Sequence, residues 1–385
     1  MRVSLVSETY PPEINGVALT VRDLAHGLAA RGHAVQVVRP QRPDQVSEPG
    51  IVALGVPSVP LPRYPGLRLG LPAGARLHRA WRTTPPDVIY VATEGPLGWS
   101  ALRVAQRLGI PACTGFHTRF DDYAAHYGAA WAAPLVLAYL RRFHRRAAAT
   151  LVPTRALAQE LAGLGIKNVC ILRRAVDAAL FNPGRRDLQL RDAWGVDGNA
   201  PVALYVGRIA QEKNLDLAVR AFRALQARAP DARFVCVGDG PVHAELAAAN
   251  PDFLFAGVRT GADLARHYAS ADLFLFPSLS ETFGNVTLEA MASGLAVVAF
   301  DHGAAQEYLA DGISGMRVRA GDTRGFVAAA YAIGVDPVLR ATMGLNARRR
   351  VEALSPESVV ADFDSRLTRL ATDKNHDQSI AVAGS

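Results

Sequence analysis

Cysteine is scarce in this sequence, which limits the metal chemistry that the chain is expected to perform. Its 385 residues include three cysteines, Cys113, Cys170 and Cys236, and their spacing matches no metal-ligand pattern. Each lies in a short apolar run, which is typical of a small buried side chain in a reducing compartment. We therefore expect buried thiols, and neither a metal ligand nor a catalytic nucleophile among them.

Long apolar runs are also missing. The longest, Ala129–Leu140, is too short to span a bilayer and contains Pro134. The chain passes from Met1 and Arg2 directly into a strand-like Val3–Val6, so no signal peptide is predicted. We expect a cytoplasmic protein, either in solution or bound peripherally at the inner face of the cytoplasmic membrane.

The net charge of +7 has no matching nucleic-acid signature. The basic residues are mostly arginines spread through amphipathic stretches, with no dense Lys/Arg tail and no motif that interleaves aromatic and basic residues. A phosphate-bearing ligand or an anionic membrane surface accounts for the charge as well. We expect no nucleic-acid partner.

Short β-branched or aromatic runs alternate with helical stretches along the whole chain. This pattern predicts parallel sheets covered on both faces, and 385 residues are too many for one core. We therefore predict an α/β protein with two doubly wound, Rossmann-like domains that face a central cleft. The predicted strands are Val3–Val6, Ala34–Val38, Val88–Val91, Ala112–Phe116, Thr150–Val152 and Val169–Leu172, then Val202–Val206, Arg233–Val237, Phe253–Phe255, Leu273–Phe276 and Ala296–Phe300.

The Pro-, Gly- and Arg-rich stretch Phe181–Arg186 predicts the junction between the domains. It divides the chain into residues 1–182 and 183–355. A C-terminal helix at about 356–372 is expected to pack back on the first domain, and the polar residues 373–385 are expected to be disordered. Ligands of open parallel sheets bind beyond the carboxyl ends of the strands, so the motifs that follow strands are of most interest.

The strongest motif, Ser280–Glu289, directly follows the predicted strand Leu273–Phe276. Glu281 lies in the loop, and Glu289 lies on a helix that begins near Asn285. Gly284 lets a backbone approach a ligand closely, and the N–H groups of the first helical turn form an anion site suited to a diphosphate. The alternative is a plain helix cap with acidic neighbours.

Two basic residues follow another strand of the second domain. Val206-Gly207-Arg208 ends a strand, and Glu212-Lys213-Asn214 lies in the next loop. Arg208 and Lys213 are suited to neutralise the charge that develops on a leaving nucleotide diphosphate. Each alone is also compatible with a solvated surface charge. The donor loop has no Asp-x-Asp pair, so no metal site is predicted.

Together these motifs resemble glycosyltransferase family 4, the retaining enzymes of the GT-B fold. The Gly-Arg-x-x-x-Glu-Lys-Asn stretch, Val237-Gly238-Asp239-Gly240-Pro241, the pair of glutamates around Gly284, and Asp311-Gly312-x-x-Gly315 follow that family's order and spacing over nearly the whole chain. The resemblance implies a metal-independent transfer of a hexose from a nucleotide sugar to an acceptor hydroxyl, with retained configuration and no cofactor. It also implies that the departing diphosphate acts as base toward the acceptor, and that the acceptor is a membrane lipid or a glycan of the cell envelope.

The resemblance also assigns roles to individual residues of the second domain. Glu289 would hold the ribose hydroxyls, Glu281 the sugar near its reacting face, and Arg208 with Lys213 the diphosphate. The backbone around Val258 would bind the base. The backbone that binds sugar hydroxyls and phosphate would be that of Phe283, Gly284, Asn285, Val286 and Thr287.

In the first domain, the resemblance implies roles for Gly16 and His117. Gly16 lies in Pro11-Pro12-Glu13-Ile14-Asn15-Gly16-Val17, which resembles the family's glycine-rich loop near the donor phosphate or sugar. His117, within Gly115-Phe116-His117-Thr118, would contact the sugar 6-hydroxyl or the transferring centre. An ordinary strand–helix turn and a structural histidine are the alternatives.

Two stretches depart from the family pattern. The family's Asn-Gly-Val-Asp before the interdomain linker is Arg174-Ala175-Val176-Asp177 in this chain, which alters the turn. The family's Gly-Gly before a later glutamate is replaced within His302–Glu307. Because that segment touches the donor sugar in the family, the sugar stays open, with GDP-mannose favoured over UDP-glucose by the branch that the chain resembles.

Two arginine-rich stretches of the first domain are the sequence features that bear on the acceptor. The stretch Pro49–Pro86 contains no acidic residue, and a second basic cluster ends the predicted helix Ala133–Arg146. Either these are solvated faces of core helices, or they dock on anionic lipid, as in the branch of lipid mannosyltransferases and glycosyl-diacylglycerol synthases. The residues concerned are Arg63, Tyr64, Arg68, Arg76, Arg79, Arg82, Arg141, Arg142, Arg145 and Arg146.

Two rivals to a glycosyltransferase share the same fold and ligand. A sugar-nucleotide epimerase would bind the donor but need no acceptor site, and the Arg208–Lys213 and Glu281–Glu289 pairs fit group transfer better. A non-catalytic binding protein for a nucleotide sugar or a lipid surface would be favoured by an incomplete set of site residues. Here the set is complete.

Overall fold

The computed structural model divides the chain into two compact units. Unit 1 comprises Met1–Arg173 and the C-terminal segment from Pro356, and unit 2 comprises Arg174–Ser355. The junction therefore lies before the predicted stretch Phe181–Arg186. The structure describes residues 1–13, 15–43, 47–60, 68–117, 133–196, 198–279 and 281–383, without the side chains of Ala133 and of 374–383.

Unit 1 is built on a parallel sheet in the order β3-β2-β1-β6-β7-β8-β9. Val3 to Val6 of the first strand pair with Val35 to Val38 on one side and with Val88 to Val91 on the other. A short antiparallel hairpin, β4–β5, adjoins it. The strands are β1 (Arg2–Val6), β2 (Ala34–Pro40), β3 (Ile51–Val56), β4 (Ser58–Pro60), β5 (Arg68–Gly70), β6 (Val88–Val91), β7 (Ala112–Gly115), β8 (Ala149–Val152) and β9 (Val169–Ile171).

Helices cover both faces of this sheet because alternate strand residues point to opposite sides. Val3 and Leu5 pack with Leu28 and Phe363 on one face, whereas Val6 packs with Trp81 on the other. The first face carries α1 (Gly16–Ala30) and α14 (Pro356–Ala383); the second carries α2 (Gly74–Thr83), α3 (Pro96–Leu108) and α4 (Ala133–His144). The remaining helix of this unit is α5 (Arg155–Gly163).

The C-terminal helix α14 packs on α1. Val360 lies against Gly27, where a Cβ would come within 2.4 Å of the valine side chain, and Asp364 accepts a 2.7 Å hydrogen bond from Arg31. The described backbone of α14 is helical as far as Ala383, where the sequence predicts a disordered tail from residue 373.

Unit 2 repeats the design with a parallel sheet in the order β12-β11-β10-β13-β14-β15. The strands that begin at Val202, Leu273 and Ala296 are buried along their whole length, whereas the two edge strands are mostly only partly buried. They are β10 (Val202–Val206), β11 (Arg233–Val237), β12 (Leu254–Gly257), β13 (Leu273–Phe276), β14 (Ala296–Phe300) and β15 (Met316–Val318). The helices are α6 (Leu188–Ala193), α7 (Leu215–Gln226), α8 (His243–Ala249), α9 (Gly261–Ser270), α10 (Asn285–Ala292), α11 (Gly303–Tyr308), α12 (Thr323–Val335) and α13 (Pro337–Val351).

The predicted strands are confirmed to within two residues at each end, and the α/β class with two parallel sheets is confirmed. The short strands β4, β5 and β15 and the edge strand β3 were not predicted. Strand β3 has mixed exposure, with Val52 66% exposed, so its sequence does not read as a buried run. Burial raises the pKa of the Cys113 and Cys236 thiols to about 12, in line with the expected unreactive role.

No single helix in the described part of the chain is long and apolar enough to cross a membrane. The segments Thr323–Val335 and Pro337–Asp373 reach that length and composition only as a pair, with a bend of 104° between them.

Candidate active site

The predicted anion site lies at the start of α10, beyond the carboxyl end of β13. Gly284 precedes the helix with φ 85° and ψ 68°, a left-handed conformation that favours glycine. Phe283 beside it is buried and packs edge-on against Tyr308, with ring centroids 6.1 Å apart. Asn285 and Val286 are partly exposed, so the first turn of α10 is accessible from solvent. Thr287, one residue further on, is buried, and its N–H bonds to the Gly284 carbonyl.

Glu281 lies just before this turn and is held by two donors. The Lys213 Nζ atom is 2.5 Å from its Oε1, and the Ser278 hydroxyl donates to the same oxygen at 2.8 Å. Both members of the ion pair keep some exposure, 17% for the Lys213 side chain and 14% for that of Glu281. The structure thus brings together two residues that are 68 positions apart in sequence and that the motifs predicted to share one site.

Arg208 and Lys213 belong to one short connection between β10 and α7. Arg208 pairs with Glu212 at 3.5 Å, and the Glu212 side chain is buried. The Glu212 carbonyl accepts the N–H of Leu279, which joins this connection to the loop after β13. Lys213 ends a single 3₁₀ turn, Gln211–Lys213. Both basic side chains are therefore held near the loop that leads into α10.

Glu289 lies on the second turn of α10 with its carboxylate partly buried. Burial raises the pKa of this carboxyl to about 7, and a 2.9 Å hydrogen bond from the Tyr268 hydroxyl opposes that rise. Tyr268 is itself buried on α9, and its pKa is raised well above the ordinary value, first by burial and then by Glu289. A single hydroxyl donor leaves the carboxylate with capacity to accept further hydrogen bonds.

Val258 follows β12 and is 57% exposed. The residue before it, Gly257, accepts the N–H of Gly238 through its carbonyl at 2.8 Å. The ends of β11 and β12 are thereby joined, and the backbone at Val258 lies on the surface beside the Gly238–Pro241 loop.

In unit 1, Gly16 and His117 each lie at the carboxyl edge of the sheet. Gly16 is exposed at the first position of α1, where the Asn15 side chain caps the helix by accepting from Val17 and Ala18. His117 follows β7, and its Nε2 lies 2.6 Å from the Tyr90 hydroxyl. His117 is therefore oriented by a tyrosine from the neighbouring strand β6.

The predicted basic surface comprises arginines on α2 and at the end of α4, and the structure adds exposed arginines of α3 between them. Arg76, Arg79 and Arg82 recur along α2, and Arg107 of α3 lines a groove of about 590 Å³ with the last two. A second groove of about 420 Å³ lies between Gln106 of α3 and the end of α4. The α4 side of that groove is lined by Arg141, Arg142, Arg145 and Arg146.

Two of the predicted arginines have structural contacts. Arg68 bonds to the Ser58 hydroxyl and carbonyl within the hairpin β4–β5. Arg146 bonds to Gln106 and lies over the Trp99 ring, 5.0 Å from its centroid. Arg63 and Tyr64 lie outside the described residues.

Sequence reasoning missed several neighbours of these residues. Ser278 and Tyr268 orient the two glutamates, yet nothing in their spacing marks them, since they come from a loop and from a different helix. Arg103 and Arg107 recur at helical spacing on α3 and are exposed, and that spacing is the sequence signal that could have identified them. No sequence motif marks Glu8 of unit 1.

Among known families, the model described as "Glycosyltransferase Family 4" matches residues 14–180, and the one described as "Glycosyl transferases group 1" matches residues 200–334. A GDP-mannose-dependent alpha-mannosyltransferase of Mycobacterium tuberculosis is 36% identical over 84% of this chain and 85% of its own. An alpha-monoglucosyldiacylglycerol synthase of Streptococcus pneumoniae is 27% identical over 78% and 71%.

The solved structure of Anabaena Alr3699/HepE in complex with UDP shares the fold, with a TM-score of 0.79 at 19% identity over 96% of this chain and 100% of that one. Fold and matches together define a glycosyltransferase of the GT-B class. The chain belongs to glycosyltransferase family 4, near its lipid mannosyltransferase branch. The predicted glycosyltransferase using a nucleotide sugar is confirmed, and neither the epimerase nor the non-catalytic alternative is favoured.

Proposed function

We propose that the protein transfers a hexose from a nucleotide sugar to an acceptor hydroxyl with retention of configuration and without a metal ion. Mannose from GDP-mannose is the favoured donor, and glucose from UDP-glucose the second. The 36% identical relative is named for GDP-mannose, which supports the first choice. The observation that carries the proposal is the Lys213–Glu281 pair beside the first turn of α10, which combines a cation, a carboxylate and backbone donors.

Each part of the nucleotide sugar has a binding partner in this arrangement. Lys213, Arg208 and the N–H groups of the first turn of α10 take the diphosphate, because all of them present positive charge or donors. Glu281 accepts sugar hydroxyls, and Glu289 accepts the ribose hydroxyls. The base lies along the backbone at Val258, which accounts for the lack of a base-specific side chain in the sequence.

The transfer breaks the bond between the sugar C1 and the phosphate oxygen and forms a bond between C1 and the acceptor oxygen on the same face. The proton of the acceptor hydroxyl moves to the departing phosphate oxygen. Lys213 and Arg208 stabilise the negative charge on that leaving group, as a metal ion does in other transferases. No covalent sugar–enzyme intermediate forms in this scheme.

In unit 1, Gly16 and His117 serve the sugar and phosphate end of the donor. The Tyr90 hydroxyl, 2.6 Å from His117 Nε2, fixes the ring so that the imidazole presents a defined edge to a sugar hydroxyl. An exposed Gly16 leaves room for a phosphate or sugar at the start of α1.

The acceptor is a lipid of an anionic membrane, and the basic surface of α2, α3 and α4 docks there. Exposed Leu135 and Tyr139 on α4 accompany its arginines, and this combination suits a membrane interface. A relative named alpha-monoglucosyldiacylglycerol synthase supports a lipid acceptor. The protein would then act as a peripheral protein at the inner face of the cytoplasmic membrane.

The test is to incubate the full chain with GDP-mannose, GDP-glucose, UDP-glucose and UDP-galactose, with and without anionic vesicles that contain diacylglycerol. Each reaction is run with and without EDTA. Released nucleotide, epimerised donor and transfer product are separated, and the anomeric configuration of the product is read by NMR. We expect a retained linkage that forms equally fast in EDTA. An inverted anomer would overturn the retaining assignment, and a loss on chelation reversed by Mg²⁺ or Mn²⁺ would overturn the metal-free one.

A further inference from the structure

His302 lies between β14 and α11 and reaches across to the neighbouring loop. Its Nε2 lies 2.9 Å from the carbonyl oxygen of Ser278, in the loop after β13. A carbonyl only accepts, so Nε2 carries the proton and donates. The histidine backbone is fixed as well, since its N–H bonds to the Phe300 carbonyl at 2.8 Å.

The residue that His302 holds is the one that orients Glu281. Ser278 is buried, and its hydroxyl donates to Glu281 Oε1 at 2.8 Å. Lys213 donates to the same oxygen, while Oε2 lies on the Gly284 side, 3.6 Å from where a Cβ on that glycine would be. The hydrogen-bonded path thus runs from His302 through Ser278 to the Glu281 carboxylate.

A second link joins the same two loops. The N–H of Ala304 bonds to the Phe283 carbonyl at 2.6 Å, and a Cβ on Gly303 would come within 2.5 Å of that oxygen. The first two residues of α11 therefore pack directly on the residue that precedes Gly284. With this contact fixed by backbone atoms, the His302 side chain is the part of the linkage that a substitution can remove without rebuilding the loop.

We propose that His302 is a positioning residue that sets donor-sugar selectivity by fixing Ser278 and, through it, the orientation of Glu281. This inference rests on the proposed function, in which Glu281 accepts sugar hydroxyls. His302 belongs to the segment His302–Glu307, in which the sequence departs from the family pattern.

Selectivity follows from geometry. Hexoses such as mannose and glucose differ in the axial or equatorial direction of one hydroxyl, so a carboxylate held in one orientation meets the hydroxyls of only one sugar well. A site built to bond a hydroxyl rejects the wrong isomer because its buried polar groups are then left unpaired. Without the hydrogen bond from His302, Ser278 is less firmly held and the Glu281 carboxylate can turn. The discrimination between hexoses then weakens.

Two substitutions at His302 test this. His302→Ala removes the donor, whereas His302→Gln places an amide N–H at nearly the same reach as Nε2 and should restore the bond. For each we measure, by calorimetry, the affinities of GDP, UDP, GDP-mannose, GDP-glucose and UDP-glucose, and by nucleotide release the acceptor-independent hydrolysis of each donor. We expect His302→Ala to reduce the preference for the best sugar about tenfold, the size of one weakened hydrogen bond, with nucleotide affinity unchanged.

The matched control is His267 on α9, whose Nδ1 also bonds to a backbone carbonyl, that of Asp263 at 2.7 Å. His267→Ala is expected to lower thermal stability and leave the donor preference unchanged. A preference that is the same in His302→Ala as in the wild type, or equally altered in His302→Gln and His302→Ala, overturns the inference while the proposed function stands. If the wild type binds each nucleotide sugar no more tightly than the free nucleotide, the proposed role of Glu281 in binding sugar hydroxyls is wrong, and the role of His302 is wrong with it.

Discussion

Each unit of the chain holds a glutamate whose pKa burial raises to about 7, and the partners of the two carboxylates differ. Glu8 of unit 1 accepts the N–H of Gly70 at 2.7 Å with one oxygen and that of Leu97, at the start of α3, at 2.8 Å with the other. Glu289 of unit 2 accepts a bond from one described side chain, the Tyr268 hydroxyl.

The difference separates a structural carboxylate from one suited to a ligand. The two oxygens of Glu8 join the loop after β1 to the hairpin β4–β5 and to α3, so its bonding capacity serves unit 1 itself. Glu289 sits in a similarly desolvated place with fewer donors, which costs free energy when it ionises unless another donor arrives. Ribose hydroxyls are such donors.

The largest expected effect is that of Lys213→Ala, which removes a cation from the proposed donor site of unit 2. Loss of one stabilising group for a leaving anion typically lowers kcat about 100- to 1,000-fold. Steady-state transfer rates check this, with Lys167→Ala as control, because Lys167 is exposed in unit 1. A rate within threefold of wild type would remove Lys213 from the mechanism.

The second prediction concerns the basic surface of unit 1 and uses the charge reversal of Arg76, Arg79 and Arg82 to Glu. Each arginine near anionic lipid contributes about 1 kcal/mol, so the triple variant should bind anionic vesicles roughly 100-fold more weakly at low salt. Co-sedimentation at two salt concentrations measures it, since screening should weaken wild-type binding in the same way.

The control for this reversal carries the same charge change on exposed arginines of unit 2, at Arg220, Arg228 and Arg324. It should bind vesicles nearly as the wild type does, and both variants should keep nucleotide affinity. Equal losses in the two variants would mean that net charge, and no particular surface, attracts the membrane.

Glu289→Gln and Glu8→Gln sharpen the comparison of the two carboxylates directly. A hydrogen bond to a charged group is worth about 1.5–3 kcal/mol, so Glu289→Gln should weaken GDP or UDP binding about 10- to 100-fold. Glu8→Gln should leave that affinity unchanged and lower the stability of unit 1, because an amide NH₂ then faces a backbone N–H. Calorimetry with unchanged affinity in Glu289→Gln would exclude the ribose assignment.

The smallest effect concerns stability and pH. The folded-state pKa of Glu289 is raised from 4.5 to about 7, so its contribution to stability is fully present below about pH 4.5 and is lost as pH rises through 7. A glutamine at this position does not ionise, so the variant does not lose this stability. Glu289→Gln without nucleotide should therefore melt at nearly the wild-type temperature at pH 5 and higher at pH 8, by about 2–4 °C for each kcal/mol. A gain of equal size at both pH values would show that ionisation is not its cause.

Much of the proposed donor site rests on sequence alone, because its residues lie within short segments at strand ends. Glu281, Gly284 and Glu289 share one loop and helix, and Arg208 and Lys213 share one connection, so spacing alone places each group. The contact between the two segments could not be predicted from spacing. The 2.5 Å approach of Lys213 to Glu281 depends on β10 and β13 being neighbours in the sheet, which the alternation of strands and helices does not specify.

Sequence by itself determined the class of the fold, the strand ends that carry chemistry and the family to which the chain belongs, because these follow from local periodicity and short motifs. Tertiary structure decided the partners: Tyr268 for Glu289, Ser278 and His302 for Glu281, and two backbone amides for Glu8. It also decided which arginines are used internally, as Arg68 is in its hairpin. The physical reason is that a hydrogen bond depends on the distance between two atoms, and for residues far apart in sequence only the packing of strands and helices sets that distance.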